Sequence, residues 1–266
     1  MKRKTNIKLF LLALLSVAML ASCGKDSPYD PGKDPDKKGN GLEYTLDKNG
    51  YATYEYGGFT YKLKSTVIGT REAQTAMTHL KSDIDHINDI IPEAALKIMK
   101  KRPIWLEENN KQNPSAAWYH TWAEYPTTYG DLAEKGKCVE ITNYNYYVDW
   151  SNRNQPLMVL HELCHLYHDQ GLGGESNPTI KSAYENAKKN GLYAKAKYRY
   201  EVGGTVYQQN EAAYCMNTMW EYWSEMCEAY WGENDYYPFN YEDLKSHDPV
   251  GFAMCEKIWG PRPDKQ

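Results

Sequence analysis

The first stretch of the folded region alternates aromatic and polar positions. Between residues 42 and 65 aromatic side chains recur near every second position, and Asn49-Gly50 and Gly57-Gly58 interrupt the alternation. Successive side chains of a strand point to opposite faces, and Asn-Gly and Gly-Gly favour tight turns. The pattern therefore predicts two or three short strands, with a strand region over residues 41–66.

A helical period follows the strands. From Arg71 to His86, continuing towards Ile90 and Ile91, apolar residues recur at spacings of three and four, which predicts a long amphipathic helix. Pro92 is suited to open a second helix that runs through Met99. Two later stretches, residues 103–107 and 138–142, are rich in β-branched and apolar residues and predict short strands.

Two further helices are predicted in the second half of the chain. The first should begin around Asn154 or Gln155 and end near Gln170, because residues 171–174 form a glycine-rich stop. Its packed side would consist of Leu157, Leu160, Leu163 and Cys164. The second is an aromatic-rich stretch that includes residues 214–225. Together the elements predict an α+β domain with a small sheet over residues 41–266.

The N-terminus has the features of a targeting segment. Basic residues precede an apolar run, Leu9 to Leu20, that is short for a membrane span. It ends in Leu20-Ala21-Ser22-Cys23, which resembles the lipobox of bacterial lipoproteins. The resemblance implies a signal peptide over residues 1–22 and lipidation of Cys23; an ordinary secretion signal is the alternative.

The residues after the cysteine favour an extracytoplasmic location. Gly24-Lys25-Asp26 resembles the tag that directs some lipoproteins to the outer face of the outer membrane, which implies an outer-membrane lipoprotein displayed at the cell surface. Residues 23–40 contain almost no apolar side chains and predict a flexible tether. The membrane would then be contacted through the lipid anchor only.

Charge and composition narrow the range of partners. Four of the 31 Lys and Arg residues lie in the first 22 positions, so the mature chain carries 27 against 35 Asp and Glu, a net charge of −8. This acidity argues against a nucleic-acid partner. The 24 tyrosines and eight tryptophans suit a carbohydrate or peptide groove, or simply the packing of a secreted domain.

The cysteines give no disulfide framework. Beyond Cys23 there are five, with no CxxC pair, and one bridge is the most that the spacing suggests. Cys164 is expected to pack as a small buried residue behind the metal-facing side of its helix.

The strongest chemical signal is His161-Glu162-Leu163-Cys164-His165. Histidines four apart lie on one face of a helix, so both imidazoles can reach one metal ion. Glu162 can then face a water held by the metal and act as its base. Chance placement would give the pattern in about one chain in a hundred.

A catalytic zinc site needs a third protein ligand. His168 lies on the same helical face, but the rise of roughly 10 Å from position 161 is too long for three ligands from one straight helix. We therefore expect His168 either to support a metal ligand through a hydrogen bond or to make a structural hydrogen bond away from the metal. The metzincin spacing requires a histidine at position 171, which is glycine, and so excludes that class.

Glu221 and Glu225 are the downstream candidates. They lie four residues apart on a predicted helix that is rich in aromatic residues, where two charged side chains are unexpected unless they have a function. Thr218 and Glu221 also fit a helix-capping box, and Glu225 and Glu228 could be solvated. Both interpretations stand on spacing alone, although the absence of another third ligand favours Glu221.

Several motifs together resemble a group of secreted microbial zinc-peptidase-like proteins, of the gluzincin type, related to the catalytic domain of anthrax lethal factor. They are HELCHLYHDQ (161–170) with the glycine-rich turn after it, residues 177–181, Tyr214 seven positions before Glu221 with Glu225 four beyond, and residues 234–240. The resemblance to the secreted group covers roughly residues 85–260; that to lethal factor is confined to the motifs.

The resemblance implies a zincin-like metallopeptidase domain with an HExxH helix and a second ligand-bearing helix. His161, His165 and Glu221 match ligands of one zinc ion, Glu162 the general base, Glu225 a second-shell hydrogen-bonding partner of a histidine, and Tyr214 a transition-state donor. A strand at 138–142 would be the sheet edge that pairs with the substrate backbone.

These expectations combine into a zinc peptidase that acts on a peptide or protein substrate as a monomer. Two alternatives remain: a weakly active or inactive surface binding lipoprotein for a glycan or protein, built on the same scaffold, and a lipoprotein with a structural zinc. A structural zinc has no water to activate, so the general-base role expected for Glu162 would be lost.

Overall fold

The computed structural model describes residues 45–111 and 115–262, which form short strands and longer helices. The expectations for residues 1–44, including the signal peptide, Cys23 and the tether, lie outside that part. The strands are β1 (Tyr51–Tyr56), β2 (Phe59–Lys64), β3 (Ile104–Leu106), β4 (Trp118–Tyr119), β5 (Val139–Ile141), β6 (Ala196–Val202) and β7 (Thr205–Glu211). The α-helices are α1 (Arg71–Ile90), α2 (Glu93–Met99), α3 (Tyr125–Thr128), α4 (Tyr144–Arg153), α5 (Met158–Gly171), α6 (Pro178–Asn190), α7 (Met219–Trp231), α8 (Tyr241–His247) and α9 (Pro249–Trp259). The predicted α+β class with a small sheet is confirmed.

The main sheet has five strands in the order β1-β2-β3-β5-β4. β2, β3 and β5 are parallel neighbours, while β1 and β4 run antiparallel at the two edges. The expectation that residues 138–142 form a sheet edge is wrong, because β4 pairs with β5 and takes the edge position. β4 spans only two residues, which is too short to leave a periodic pattern in the sequence.

The predicted N-terminal hairpin and first helices are present. Gly57 and Gly58 join β1 to β2 with φ values of 61° and 80°, a left-handed conformation that glycine adopts without a Cβ clash. Within residues 45–66, the described part of this stretch, a third strand does not form, and Leu46 makes only an isolated bridge. α1 covers the predicted range, and its N-cap Thr70 accepts a hydrogen bond from a backbone amide of the first turn.

α5 lies at the centre of the domain and begins later than predicted. Its start is Met158 because the preceding residues form α4, whose C-cap is Asn154. The apolar stretch predicted for its packed side is buried, including Cys164 at 0% exposure. The five described cysteines are free and buried.

α7 packs against α5 and is enclosed by its neighbours. Every residue from Tyr222 to Trp231 is buried, so this helix belongs to the core along most of its length. Trp223 Nε1 donates a hydrogen bond to the backbone carbonyl of Cys164 at 2.9 Å and fixes the two helices side by side. Among the described residues, no helix is long and apolar enough to cross a membrane.

Candidate metal centre

Three potential metal ligands converge where α5 and α7 face each other. His161 and His165 lie one turn apart on α5, and Glu221 lies in the first turn of α7. Glu221 Oε2 lies 3.0 Å from His161 Nε2 and 3.3 Å from His165 Nε2. The ligand atoms of the three residues all lie within 4.8 Å of one another.

These distances fit a zinc ion. Two ligands placed about 2.1 Å from one zinc in tetrahedral geometry lie about 3.4 Å apart. The two imidazole-to-carboxylate separations are close to that value. Both histidines are buried, at 5% and 8% exposure, so their rotamers are held by packing. The arrangement can hold a metal without a large rearrangement of the helices.

Glu221 serves the helix start and the cluster with different atoms. Its backbone amide donates to Thr218 Oγ1 at 3.2 Å, which is half of the capping box considered above. Its carboxylate turns to the histidines. Burial disfavours the ionised carboxylate, but the neighbouring His165 and His161 outweigh that effect and hold the pKa of Glu221 well below its usual range.

The imidazole of His161 is oriented by a buried carboxylate. His161 Nδ1 lies 2.7 Å from Glu228 Oε2, and Gln155 Nε2 donates to both Glu228 oxygens, at 3.1 and 3.2 Å. An ionised carboxylate only accepts hydrogen bonds, so Nδ1 carries a hydrogen, and Nε2 is the ring atom directed at Glu221 and available to a metal. Glu228 is fully buried at 0% exposure.

Ser224 orients the other histidine. Its hydroxyl donates to the backbone carbonyl of His161 at 3.1 Å and lies 3.1 Å from His165 Nδ1. Because the hydroxyl hydrogen is already used, Oγ accepts from Nδ1. Both ligand imidazoles are thereby oriented with Nε2, the atom that a metal would bind, towards the cluster.

The histidine partner expected at Glu225 is Glu228 instead. Glu225 is 2% exposed and accepts a long hydrogen bond, 3.4 Å, from Asn234 Nδ2. Burial, together with the neighbouring Asp235 carboxylate, raises the pKa of Glu225 well above its usual range. Geometry explains why Glu228 and not Glu225 is the partner of His161. The carboxylate of Glu228, seven residues beyond Glu221, contacts His161 Nδ1, whereas Glu225 lines the cavity.

Glu162 lies beside the ligands at the cavity wall. It is half-buried and lines the same cavity as both histidines and Glu221. Burial raises the pKa of its carboxyl, and the two histidines oppose that shift. A carboxylate in this position can accept a proton from a water at the cluster.

Tyr214 approaches the cluster from outside the two helices. It lies in a short 3-10 turn before α7, and its hydroxyl donates to Glu221 Oε1 at 3.4 Å. Burial and the Glu221 carboxylate raise the pKa of Tyr214 to about 12, so the phenol stays protonated. With 47% of its surface exposed, Tyr214 remains accessible to a bound molecule.

His168 contributes no ligand atom to the cluster. Its Nε2 donates to the backbone carbonyl of Gly174 at 3.0 Å, and its ring packs 4.4 Å from that of Trp220. Burial lowers the pKa of His168 to about 4, which keeps the ring neutral. The residue ties the end of α5 to the loop that follows it.

The cluster opens into one large cavity of about 860 Å³. Residues in and around β4, from α4, from the N-terminal part of α5 and from the start of α7 all contribute to its wall. The N-terminal hairpin lies at the opposite edge of the sheet from β4, and no described residue before 115 lines the cavity.

Several residues around the metal centre were not predicted as functional from the sequence. Gln155, Ser224 and Glu228 orient the ligands, and Asp235 lines the cavity beside Glu225. Burial and the neighbouring Glu228 carboxylate raise the pKa of Asp235 to about 7. The one available signal was the position of Glu228, which shares a helical face with Glu221.

Comparison with known protein families, curated proteins and solved structures found no match. The geometry of the cluster and its cavity is therefore the basis for assigning a function.

Proposed function

We propose that the protein is a zinc-dependent peptidase of the gluzincin type with a zincin-like fold. The observation that carries the proposal is the convergence of His161, His165 and Glu221 within 4.8 Å, with Glu162 on the same cavity wall. Two imidazoles and one carboxylate form a donor set of catalytic zinc sites, in which a fourth position stays open. When bound, zinc would polarise a carbonyl and lower the pKa of a water.

The residues of the chain then divide the work of peptide hydrolysis. Glu162 accepts the proton of the attacking water and passes it to the leaving amine. Tyr214 donates its phenolic hydrogen to the oxygen on which negative charge develops. The free side of β4 can hold the substrate backbone as an added strand. His161 and His165 stay fixed through Glu228 and Ser224.

We also propose that the protein acts outside the cytoplasm. The lipobox-like residues imply lipidation at Cys23 and hence an extracytoplasmic location, where the substrate would be a peptide or protein. The acidic mature chain argues against nucleic acid as a partner. We propose a monomer that contacts the membrane through its lipid anchor only.

Glu162→Gln tests the proposal. We expect the variant to keep its zinc and to lose cleavage of a broad peptide library read by mass spectrometry, because the amide cannot take up the proton. Glu185→Gln, an exposed change on α6 outside the cavity wall, is the matched control and should cleave like the wild type. Cleavage by Glu162→Gln at the wild-type rate would refute the mechanism.

The exposed aromatic side chains favour a second candidate, a binding lipoprotein without useful turnover. Trp122 and Tyr146 are 62% and 60% exposed and line the same cavity. Such surfaces can hold a glycan or a host protein. Zinc bound without metal-dependent cleavage of any peptide in the library would select this function instead.

A further inference from the structure

Exposed tryptophans concentrate at one place in the domain. Trp118, Trp122 and Trp150 are 37%, 62% and 39% exposed, and all three line the cavity beside the metal centre. Four other tryptophans are buried in the core. Indoles leave water readily, so their collection at one concave surface indicates a binding partner with apolar groups.

A cluster of packed rings, one pair of them stacked, holds two of these indoles in place. Tyr125 stacks on Trp118 with ring centroids 6.3 Å apart and an interplanar angle of 11°, and it lies 6.0 Å from Trp122. Tyr129 packs on Tyr125 with ring centroids 4.8 Å apart. We call Trp118, Trp122, Tyr125 and Tyr129 the aromatic cluster. Its rings are preorganised, so a ligand ring can add to them at a small entropic cost.

The aromatic cluster is continuous with the sheet edge. Trp118 belongs to β4, the edge strand of the five-stranded sheet. A segment that pairs with β4 would place alternate side chains on the face where Trp118 lies. This favours an extended peptide over a glycan, because a glycan has no peptide backbone that could form the hydrogen bonds of an added strand.

A second aromatic pair extends the surface towards the metal helix. Tyr146 and Trp150 are one turn apart on α4 and share a helical face, and both line the cavity. Aromatic groups therefore come from two separate elements of the wall.

The charges of the cavity restrict its occupant further. Six carboxylates line the wall, from Asp149, Glu162, Glu175, Glu221, Glu225 and Asp235, against one cation, Arg153. Arg153 is already paired with Asp149. Asp149 and Glu221 already have partners, and Glu225 and Asp235 are buried. Glu162 and Glu175 remain as the carboxylates that an acidic peptide would meet, so a neutral or basic peptide fits better.

We infer that the cleft selects extended, neutral or basic peptide segments by an aromatic side chain that stacks on the aromatic cluster beside β4. The inference rests on the proposed function and adds the class of substrate to it. The decisive residue is Trp122, which is the most exposed of the indoles and has no part in the metal centre.

The test compares decapeptide libraries with phenylalanine, alanine or glutamate fixed in turn at each position of a neutral background. Zinc-loaded wild type, Trp122→Ala and the control Tyr207→Ala are assayed for kcat/KM. Tyr207 is 46% exposed on β7 and does not line the cavity. Binding of the same peptides to Glu162→Gln, alone and combined with Trp122→Ala, is read by tryptophan fluorescence.

We expect phenylalanine at one position to raise kcat/KM roughly 10-fold over alanine, and Trp122→Ala to remove most of that preference. Glutamate at neighbouring positions should lower kcat/KM, and high salt should reduce this loss. Tyr207→Ala should behave like the wild type with every peptide, and Trp122→Ala should lower kcat/KM for the alanine peptide much less than for the phenylalanine peptide.

The other outcomes separate the two proposals. Cleavage without aromatic preference, or an equal loss for both peptides in Trp122→Ala, would overturn this inference and leave the peptidase intact. No cleavage, but aromatic-peptide binding that Trp122→Ala weakens, would support the recognition and refute the peptidase. Binding of an oligosaccharide mixture instead of peptides would overturn both.

Discussion

Glu228→Gln is the perturbation that best isolates how the metal centre is held. Glu228 is fully buried, lies 2.7 Å from His161 Nδ1 and accepts two contacts from Gln155 Nε2. The amide would keep the shape of the side chain but lose its charge. One of its ends would be a donor, and because Gln155 Nε2 donates to both oxygens of Glu228, it would face that donor in either orientation of the amide.

The expected magnitude follows from the loss of a carboxylate behind a ligand imidazole. Such changes lower metal affinity about 10- to 100-fold, which corresponds to about 1.4 to 2.8 kcal/mol of binding free energy. Glu225→Gln is the matched control on the same helix. Glu225 is also buried but does not contact the histidines, and its raised pKa makes the neutral amide a close substitute.

The assay is zinc competition against a chelator of known affinity, with urea unfolding of the metal-free proteins beside it. We expect Glu228→Gln to bind zinc at least about 10-fold more weakly and Glu225→Gln to bind like the wild type. Equal affinity for Glu228→Gln and the wild type, or a larger loss in Glu225→Gln, would refute the account of the site. The unfolding curves show whether a loss reflects the ligand sphere or the whole fold.

Three other substitutions probe separate parts of the structure. Tyr214→Phe should lower kcat about 100-fold through loss of one donor to the developing oxyanion, with zinc content unchanged; Tyr207→Phe is the control. His168→Gln should keep one zinc per chain, since His168 is not a ligand, and metal analysis checks this. Lys135→Met should cost about 3–5 kcal/mol in urea unfolding, because Lys135 is fully buried among carboxylates that would lose their cation. Burial opposes ionisation of Asp131, but Lys135 outweighs it and lowers the pKa of that carboxyl below 3.8. This stabilisation is present above pH 3.8 and disappears as the pH falls through the folded pKa, so wild-type stability should drop there. In Lys135→Met the lowering by Lys135 is lost and burial, the largest effect on the carboxyl, raises its pKa, so the stability of the variant should not fall over the same pH range.

The elements with strong periodicity could be predicted from the sequence. α1 repeats its apolar spacing over five turns, and α2, β3 and β5 match their predicted ranges closely. β4 could not be predicted, because two residues carry no period, and its pairing with β5 depends on the tertiary fold. α4 was missed, and its presence moved the start of α5 to Met158.

Within the site, spacing could indicate candidates but not choose among them. On a helical projection Glu225 and Glu228 lie about 40° and about 20° from Glu221, on the same face. The choice between them depends on how α7 crosses α5, which brings Glu228 to His161. No pattern along one helix contains that crossing. The HExxH spacing, by contrast, places both histidines within a single helix.

The central claim is that His161, His165 and Glu221 bind one zinc ion, and zinc stoichiometry tests it most directly. The protein is purified, stripped with a chelator, reloaded and dialysed, and its zinc is counted per chain by mass spectrometry. We predict one zinc in the wild type and in the exposed control Glu185→Ala, and loss of that zinc in Glu221→Ala. A wild type that retains no zinc, or a Glu221→Ala variant that binds it with unchanged affinity, would contradict the account.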